Sequence, residues 1–485
     1  GGAAAIERLS SMKSLTITGT VSINGQPGTF REQFCPPDRL LLTVDLGSYR
    51  VSQGYDGKTA WQTDMNGHAS EITGFEKNEL VKSAYFESAA DVLPRADDVE
   101  KLYEGVVSRD GQDYHQVAFV FFTSDTVRIL FDLKTALPAV RLANLDNTQT
   151  VSQVSQFKSV SHVLFPFKAV STAIGAPLTV VFTADSIHFD LPVDQSIFAQ
   201  PVSIDPAVYF PAESTRVTLP IDYRNGHLYI TATVNGKRKG KFILDSGCSA
   251  SIFHAPFIAS LDLPKSGAMP AKGVGGFESI ELLQTDSISI GPVTLFKQIV
   301  GATDLSNIGS GDSLPFAGIL GYDFLSRFPL LIDYHEETLT LFDPAHFTPP
   351  TGGHEIPFSL TMQVPTVQAT IFDALGDFIV DLGNANGLLL HDAFVKAGDL
   401  RKKLGVDSQS TDRSLVGVGG GFSGVRTTID RIELEGFSID SVSAILSSSS
   451  GGMTGSAAIA GNIGNGVLER YRLLFDYAHH RLIFY

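Results

Sequence analysis

Sulfur, long apolar runs and positive charge are all scarce in this chain. Its 485 residues include two cysteines, Cys35 and Cys248, too few to build a disulfide framework or a four-ligand zinc site by themselves. They leave the redox compartment open. No uninterrupted apolar run reaches the ~18–20 residues that a membrane helix needs, so a helical span is excluded. Thirty-six Lys and Arg stand against fifty-two Asp and Glu, a net charge of −16. That balance repels phosphate backbones and anionic lipid, and neither nucleic acid nor a membrane surface is an expected partner. The first residues, Gly1-Gly-Ala-Ala-Ala5, carry no Met and no basic-then-apolar leader, as expected of a processed or trimmed chain.

What is present points to a soluble, mainly β protein. A hydrophobic share of 43% beside 18% charged residues suits a folded chain, and 46 Gly with many Val, Ile, Thr and Phe suit strands and turns. At ~150 residues per domain the length predicts about three domains. Residues 1–207 read as the first. A short amphipathic helix at 4–12 precedes alternating strands at 15–23, 30–34, 40–45, 49–55 and 60–63. A helical stretch at 78–92 follows, and strands resume at 117–122, 126–132, 139–143, 157–163, 167–170 and 179–189. This part holds no evident nucleophile, metal cluster or phosphate loop.

Beyond residue 213 the chain repeats itself. Val217-Thr-Leu-Pro220, Phe242-Ile-Leu-Asp-Ser-Gly247, Lys272-Gly-Val-Gly-Gly276, Ala317-Gly-Ile-Leu-Gly321 and Leu331-Ile-Asp-Tyr334 form the first copy. His354-Glu-Ile-Pro357, Phe378-Ile-Val-Asp-Leu-Gly383, Val416-Gly-Val-Gly-Gly420, Ala460-Gly-Asn-Ile-Gly464 and Leu474-Phe-Asp-Tyr477 form the second, in the same order. Asp381 follows Asp245 by 136 residues, while Gly464 follows Gly321 and Asp476 follows Asp333 by 143, so one small insertion separates the copies. Two lobes are expected, 208–350 and 351–485.

Each copy has an apolar strand ending in Asp-x-Gly, which delivers a carboxylate to a tight turn whose backbone donors reach it. One such tripeptide is weak evidence; the second, at the same place in a second copy, gives it weight. Two carboxyls meeting between the lobes cannot both ionise easily. One keeps its proton while the other activates water, which supplies an acid and a base for hydrolysis; aspartic proteases are the standard instance of that coupling.

These residues resemble retropepsin-like aspartic proteases of the bacterial type. The segments ILDSGCSASIF, KGVGGFES and GILGYDFLSRF match the active-site turn, the glycine-rich flap and the segment packed behind the turn; IVDLGNANGLLL, LVGVGGGFSG and GNIGNGVLERY are their counterparts. The resemblance implies two β-barrel lobes, with Asp245 and Asp381 as the catalytic pair and Ser246, Gly247 and Gly383 bracing it. It implies two flaps, with Gly273, Val274, Gly275 and Gly276 in one and Gly417, Val418, Gly419 and Gly420 in the other. A monomer acting on a peptide or protein substrate, with no metal and no cofactor, follows from it. Leu382 departs from the pattern where a hydroxyl belongs, and Cys248 where a small residue is usual. The side chain of Asn384 is the expected substitute polar contact.

The N-terminal order of helix, GYDGKTAWQT, helical insert, VLFPFKAVS and FDLPVDQSIFAQP resembles the outer-membrane lipoprotein carrier family. That resemblance implies an antiparallel half-barrel sheet with helices, an acyl chain or apolar peptide as ligand, and a periplasmic, secreted or cell-surface location in a bacterium after removal of a signal peptide. The alternative function is a catalytically degenerate peptide- or lipid-binding protein.

Three other signals carry less. Gly419-Gly-Gly-Phe-Ser-Gly424 fits a dinucleotide loop, but the residues after it alternate as a strand and supply no helix N-terminus. Cys248 with His254 in sequence reach reads as a buried small residue rather than a nucleophile, and His479-His480 as an exposed turn. Asp333-Tyr334 and Asp476-Tyr477 read as structural starts of closing hairpins.

Overall fold

The computed structural model describes residues 2–93, 99–122, 125–146, 148–202, 208–274, 276–309, 314–407, 412–417 (backbone) and 420–485. The chain forms two compact units, Gly1–Ser203 and Ile204–Tyr485. Among the described residues no helix is long and apolar enough to cross a membrane. Strands dominate, and the fold is mainly β.

The first unit is one antiparallel sheet of 13 strands. Six strands meander from Leu15–Ile23 to Ala69–Ile72, the helix Gly74–Glu87 follows, and seven more run from Glu100–Arg109 to Thr179–Phe189. The first strand pairs with the last, Leu15 opposite Phe189, so the two meanders join at the centre and leave Ala69–Ile72 and Glu100–Arg109 as edges. Leu80 and Ala84 of the helix share a core with Phe34, Leu40, Tyr55 and Ile72. The same helix carries charge inward. Lys82 is fully buried against Glu79 at 2.5 Å and Asp125 at 2.6 Å. Glu87 hydrogen-bonds Glu32, whose carboxyl burial pushes up to about 7.

Several elements of this unit differ from the sequence reading, which had no strand at Ala69–Ile72 and carried the helix on to 92 where it ends at Glu87. The expected strand 157–163 is the end of one strand, Thr148–Val160, and the start of the next, Val163–Ala173. Ser161 and His162 turn the chain between them with φ of 46° and 71°, a two-residue hairpin turn without its usual Asn-Gly signal. The helix begins at Gly74 rather than 78, and the edge strand Glu100–Arg109 escaped notice because an exposed strand needs no apolar alternation.

In the second unit three sheets relate the two repeats. An 11-stranded sheet belongs to the first copy and an eight-stranded sheet to the second. Between them lies a six-stranded sheet ordered Arg216–Pro220, Thr338–Phe342, Leu330–Asp333, Arg472–Asp476, Arg481–Phe484, His354–Pro357, three strands from each copy. Its central pair sets Leu330 opposite Phe475 and Asp333 opposite Arg472, antiparallel across the local symmetry axis. One continuous core spans both halves, from Leu228 and Phe242 to Phe378 and Phe475. The repeated Leu-x-Asp-Tyr segments fill this middle sheet. Their aspartates accept backbone N–H groups in the turns that follow, which is the structural role expected of them.

Candidate active site

The strand Arg238–Leu244 runs parallel to Phe316–Leu320, and Ala374–Asp381 runs parallel to Gly461–Gly464. Phe242, Ile243 and Leu244, like Phe378, Ile379 and Val380, are buried on both faces, which is why each reads as an unbroken apolar run. Each strand therefore delivers its aspartate to the start of a turn, Asp381 as the last residue of its strand and Asp245 as the residue after Leu244.

There the two turns interlock. The Asp245 and Asp381 carboxyls hydrogen-bond each other. A Cβ on Gly247 would stand 2.6 Å from the Asp381 Cγ, and one on Gly383 would stand 2.3 Å from the Asp245 Cγ. Each glycine is the floor on which the opposite carboxyl rests. Gly247 N–H donates to Asp245 Oδ1 at 2.9 Å, and Gly383 N–H to Asp381 Oδ1 at the same 2.9 Å.

Asn384 N–H adds a bond to Asp381 at 3.0 Å as Cys248 N–H does to Asp245, but then the symmetry breaks: the Asn462 side-chain amide donates to Asp381 at 2.6 Å, where the first copy has Ile319. Burial raises both carboxyls. For Asp245 the charge of Asp381 adds to burial and the rise is large, whereas the donors around Asp381 oppose its rise. The Asn462 amide on Asp381 favours the ionised form of that carboxyl, which leaves Asp245 as the place for a proton shared by the pair.

Ser246, fully buried, bridges the halves: its Oγ donates to Val380 O at 2.6 Å and accepts from Leu382 N–H at 3.0 Å. Ser246→Ala leaves both groups buried without their partner. It is expected to destabilise the second unit by about 1–3 kcal/mol, measured by urea unfolding. Leu382 cannot return the bond, and the substitute is not Asn384 as expected. The Asn384 side-chain oxygen accepts from Asn386 N–H at 3.0 Å, and its Nδ2 has no hydrogen-bond partner among the described residues. Asn465 fills the role instead. Its Nδ2 donates to Leu382 O at 2.6 Å and to Gly226 O at 2.8 Å, while its Oδ1 accepts from Tyr334 OH at 2.7 Å. At the matching place in the first copy Tyr322 meets the Tyr477 ring edge-on, with centroids 5.7 Å apart.

Of the flap residues, Gly275, Val418 and Gly419 lie outside the described residues. The first hairpin joins Lys265–Lys272 to Phe277–Gln284, closed by Gly273 N–H on Gly276 O at 2.7 Å. Its tip rests on the other half. Met453 N–H donates to Gly273 O at 3.1 Å, and Val274 packs on Leu389, Phe422 and Ile445. Gly452 makes this approach possible with φ of 58° and room for no Cβ, which would stand 2.5 Å from Val274 O. Gly452→Ala is expected to release the tip, seen as faster hydrogen exchange at the Met453 amide. In the second hairpin Gly417 pairs with Gly420, and the strand Gly420–Leu434 continues from it, so no helix follows the dinucleotide-like glycines.

Cys248 is no nucleophile here. Burial, then the charge of Asp245, push its thiol well above the ordinary range, and Sγ donates to Ala250 O at 3.0 Å. His254 accepts from Leu305 N–H at 3.1 Å. His479 pairs with Asp476 at 2.9 Å, and His480 stacks on Phe358.

Residues 230–324 match the family model of aspartyl proteases. That segment of the second unit is thus similar to aspartyl proteases, and it contains Asp245 and the first hairpin. Among curated proteins none matches the chain. Solved structures similar to it include a putative outer membrane lipoprotein-sorting protein domain from Vibrio parahaemolyticus (10% identity, TM-score 0.30, 40% of this chain and 94% of that one). A DUF1329 family protein from Desulfovibrio piger (10%, 0.29, 40% and 92%) and a LolA superfamily protein from Nitrosomonas europaea (12%, 0.29, 40% and 94%) are similar to a comparable extent.

Sequence reasoning missed Asn462, Asn465 and His391. A signal existed for the first two: Gly461-Asn-Ile-Gly-Asn465 is polar where Gly318-Ile-Leu-Gly-Tyr322 is apolar or aromatic.

Proposed function

We propose that the second unit is an aspartic-type endopeptidase whose water is activated by Asp245 and Asp381. The observation that carries this reading is the reciprocal packing of the two carboxyls, each hydrogen-bonded to the other and each seated on the other's glycine. Two carboxyls held together cost stability unless a proton is shared, as in the Glu32–Glu87 pair of the first unit; what sets Asp245 and Asp381 apart is that each rests on the glycine of the other's turn.

In the proposed reaction a peptide lies extended beneath the first hairpin, its scissile carbonyl beside the pair. Asp381 takes a proton from water as the water oxygen bonds to the carbonyl carbon, and Asp245 gives its proton to the carbonyl oxygen. The resulting gem-diol collapses when Asp381 passes its proton to the amide nitrogen and one hydroxyl proton returns to Asp245. The C–N bond breaks, and an acid and an amine leave with both carboxyls restored. An extracytoplasmic site of action and action as a monomer belong to the same proposal, as do the roles of Gly273, Val274, Gly276, Gly417 and Gly420 over the substrate.

The test is a peptide library incubated between pH 3 and 8 with the parent protein and with Asp245→Asn, the products read by mass spectrometry. Cleavage by the parent alone supports the reading. The same products from both overturn it, and none from the parent at any pH overturns it in favour of a binding protein.

A further inference from the structure

We propose that His391 and Asn462 are positioning residues that hold Asp381 as the ionised member of the pair, with His391 as a buried imidazolium countercharge. This rests on the reading of Asp245 and Asp381 as the catalytic pair.

The argument is one of donors and acceptors. The Asn462 amide donates Nδ2 to Asp381 Oδ2 at 2.6 Å, so its Oδ1 faces away and can only accept. His391 Nε2 lies 3.0 Å from that Oδ1, and His391 Nδ1 lies 3.0 Å from the carbonyl of Ile459, which also can only accept. Both ring nitrogens therefore donate, and a ring that donates twice is cationic. His391 is 1% exposed, Asn462 8% and Asp381 8%, so cation and anion sit at the two ends of one amide with little water to screen them.

Among the described residues, the other charged or titratable groups named along this line are acids or a thiol and supply no positive charge to Asp381. Asp245 faces Asp381 from the first half as the other acid of the pair, and burial holds the Cys248 thiol beside it in its neutral form. Asp377, on the Asp381 strand, is raised by burial, and Asp392, next to His391 on the helix Asp392–Ala397, is paired with Lys396 at 2.7 Å.

Turning the amide end for end reverses both roles. Oδ1 then faces Asp381, which must carry a proton, and Nδ2 faces a neutral ring. The number of protons is the same in both forms, so the amide links protonation of Asp381 to charge on His391.

The first copy lacks this device, although it has the histidine. Phe253 pairs with Gly318 as Leu390 pairs with Gly461, which puts His254 in the place of His391. The residue matching Asn462 is Ile319, and His254 accepts a backbone N–H instead of donating toward Asp245. One carboxyl of the pair has a countercharge line and the other has none, which fixes which is base and which is acid.

The experiment uses the full chain and has two arms. Nitrogen-15 NMR of the parent at pH 7, with the His391 signals assigned by their loss in His391→Gln, reads the ring directly. Both nitrogens protonated supports the proposal, and a neutral ring overturns it. The second arm follows kcat/KM against pH for parent, Asn462→Leu and His391→Gln on a peptide the parent cleaves. The acid limb is expected to move up by about one pH unit, roughly a tenfold loss one unit below the parent's limb. A limb that stays in place, with activity merely scaled down, overturns the proposal and leaves a structural role. A parent that cleaves nothing overturns the peptidase reading instead, and the NMR arm still decides the charge on the ring.

Discussion

Asp245→Asn is expected to be inactive toward peptides and yet more stable than the parent at pH 7. Loss of the proton donor at the carbonyl oxygen removes about 10²–10⁴ of the rate. The gain in stability comes from linkage. Burial and then the charge of Asp381 raise the Asp245 carboxyl well above its ordinary value, whereas in the unfolded chain the same group releases its proton near pH ~4. Between those two points the folded state binds more protons than the unfolded one, so stability falls as pH rises through the window. Asp381 is raised as well and adds a slope of the same sign. An asparagine at 245 cannot ionise and leaves Asp381 without a like charge beside it. The variant's Tm is expected to exceed the parent's at pH 7, with the gap closing toward pH 4. A Tm below the parent's across the whole range would mean that the pair is held together for structure, and the proposed chemistry would lose its physical basis.

That trade also explains which parts of the molecule the sequence could show. Periodicity and repetition revealed the apolar strands, the Asp-x-Gly turns and the central sheet, because each depends on local pattern and occurs twice. Comparison of like with like is blind to what differs between the copies. Asn462 and Asn465 break the repeat; their partners Asp381, His391 and Leu382 are brought in from 71 to 83 residues away in the same half, and Gly226 and Tyr334 from the other half. The seat of the first flap tip at Gly452 and Met453 lies in a Ser- and Gly-rich stretch with no chemical signature, and its contact with Gly273 spans 180 residues of chain. Leu382 was legible as a lost hydroxyl. Its remedy was not, since the bond that replaces it comes from 83 residues further on.

Gly383→Ala is expected to disable the site through geometry alone, with no change in any titrating group. Its Cβ would stand 2.3 Å from both Cγ and Oδ2 of Asp245, closer than any real contact of that kind. Asp245 cannot retreat, because Gly247 N–H and Cys248 N–H hold its carboxyl in the turn. The Gly383 turn cannot retreat either, since Asn465 grips Leu382 O at 2.6 Å and Ser246 holds Leu382 N–H at 3.0 Å. The halves must part, at a cost of about 1–3 kcal/mol or more in stability. A displacement of about 1 Å at the pair is expected to lower kcat/KM about 10²-fold. Gly247→Ala, where the distance to Asp381 is 2.6 Å, is expected to act in the same direction and less strongly. Gly451→Ala serves as the control, because nothing lies within 4 Å of a Cβ there. Urea unfolding and steady-state kinetics on the three variants decide the matter. Parent-like behaviour of Gly383→Ala would show that the two carboxyls are free to separate, and the dyad would then lack the preorganisation from which its reactivity is argued.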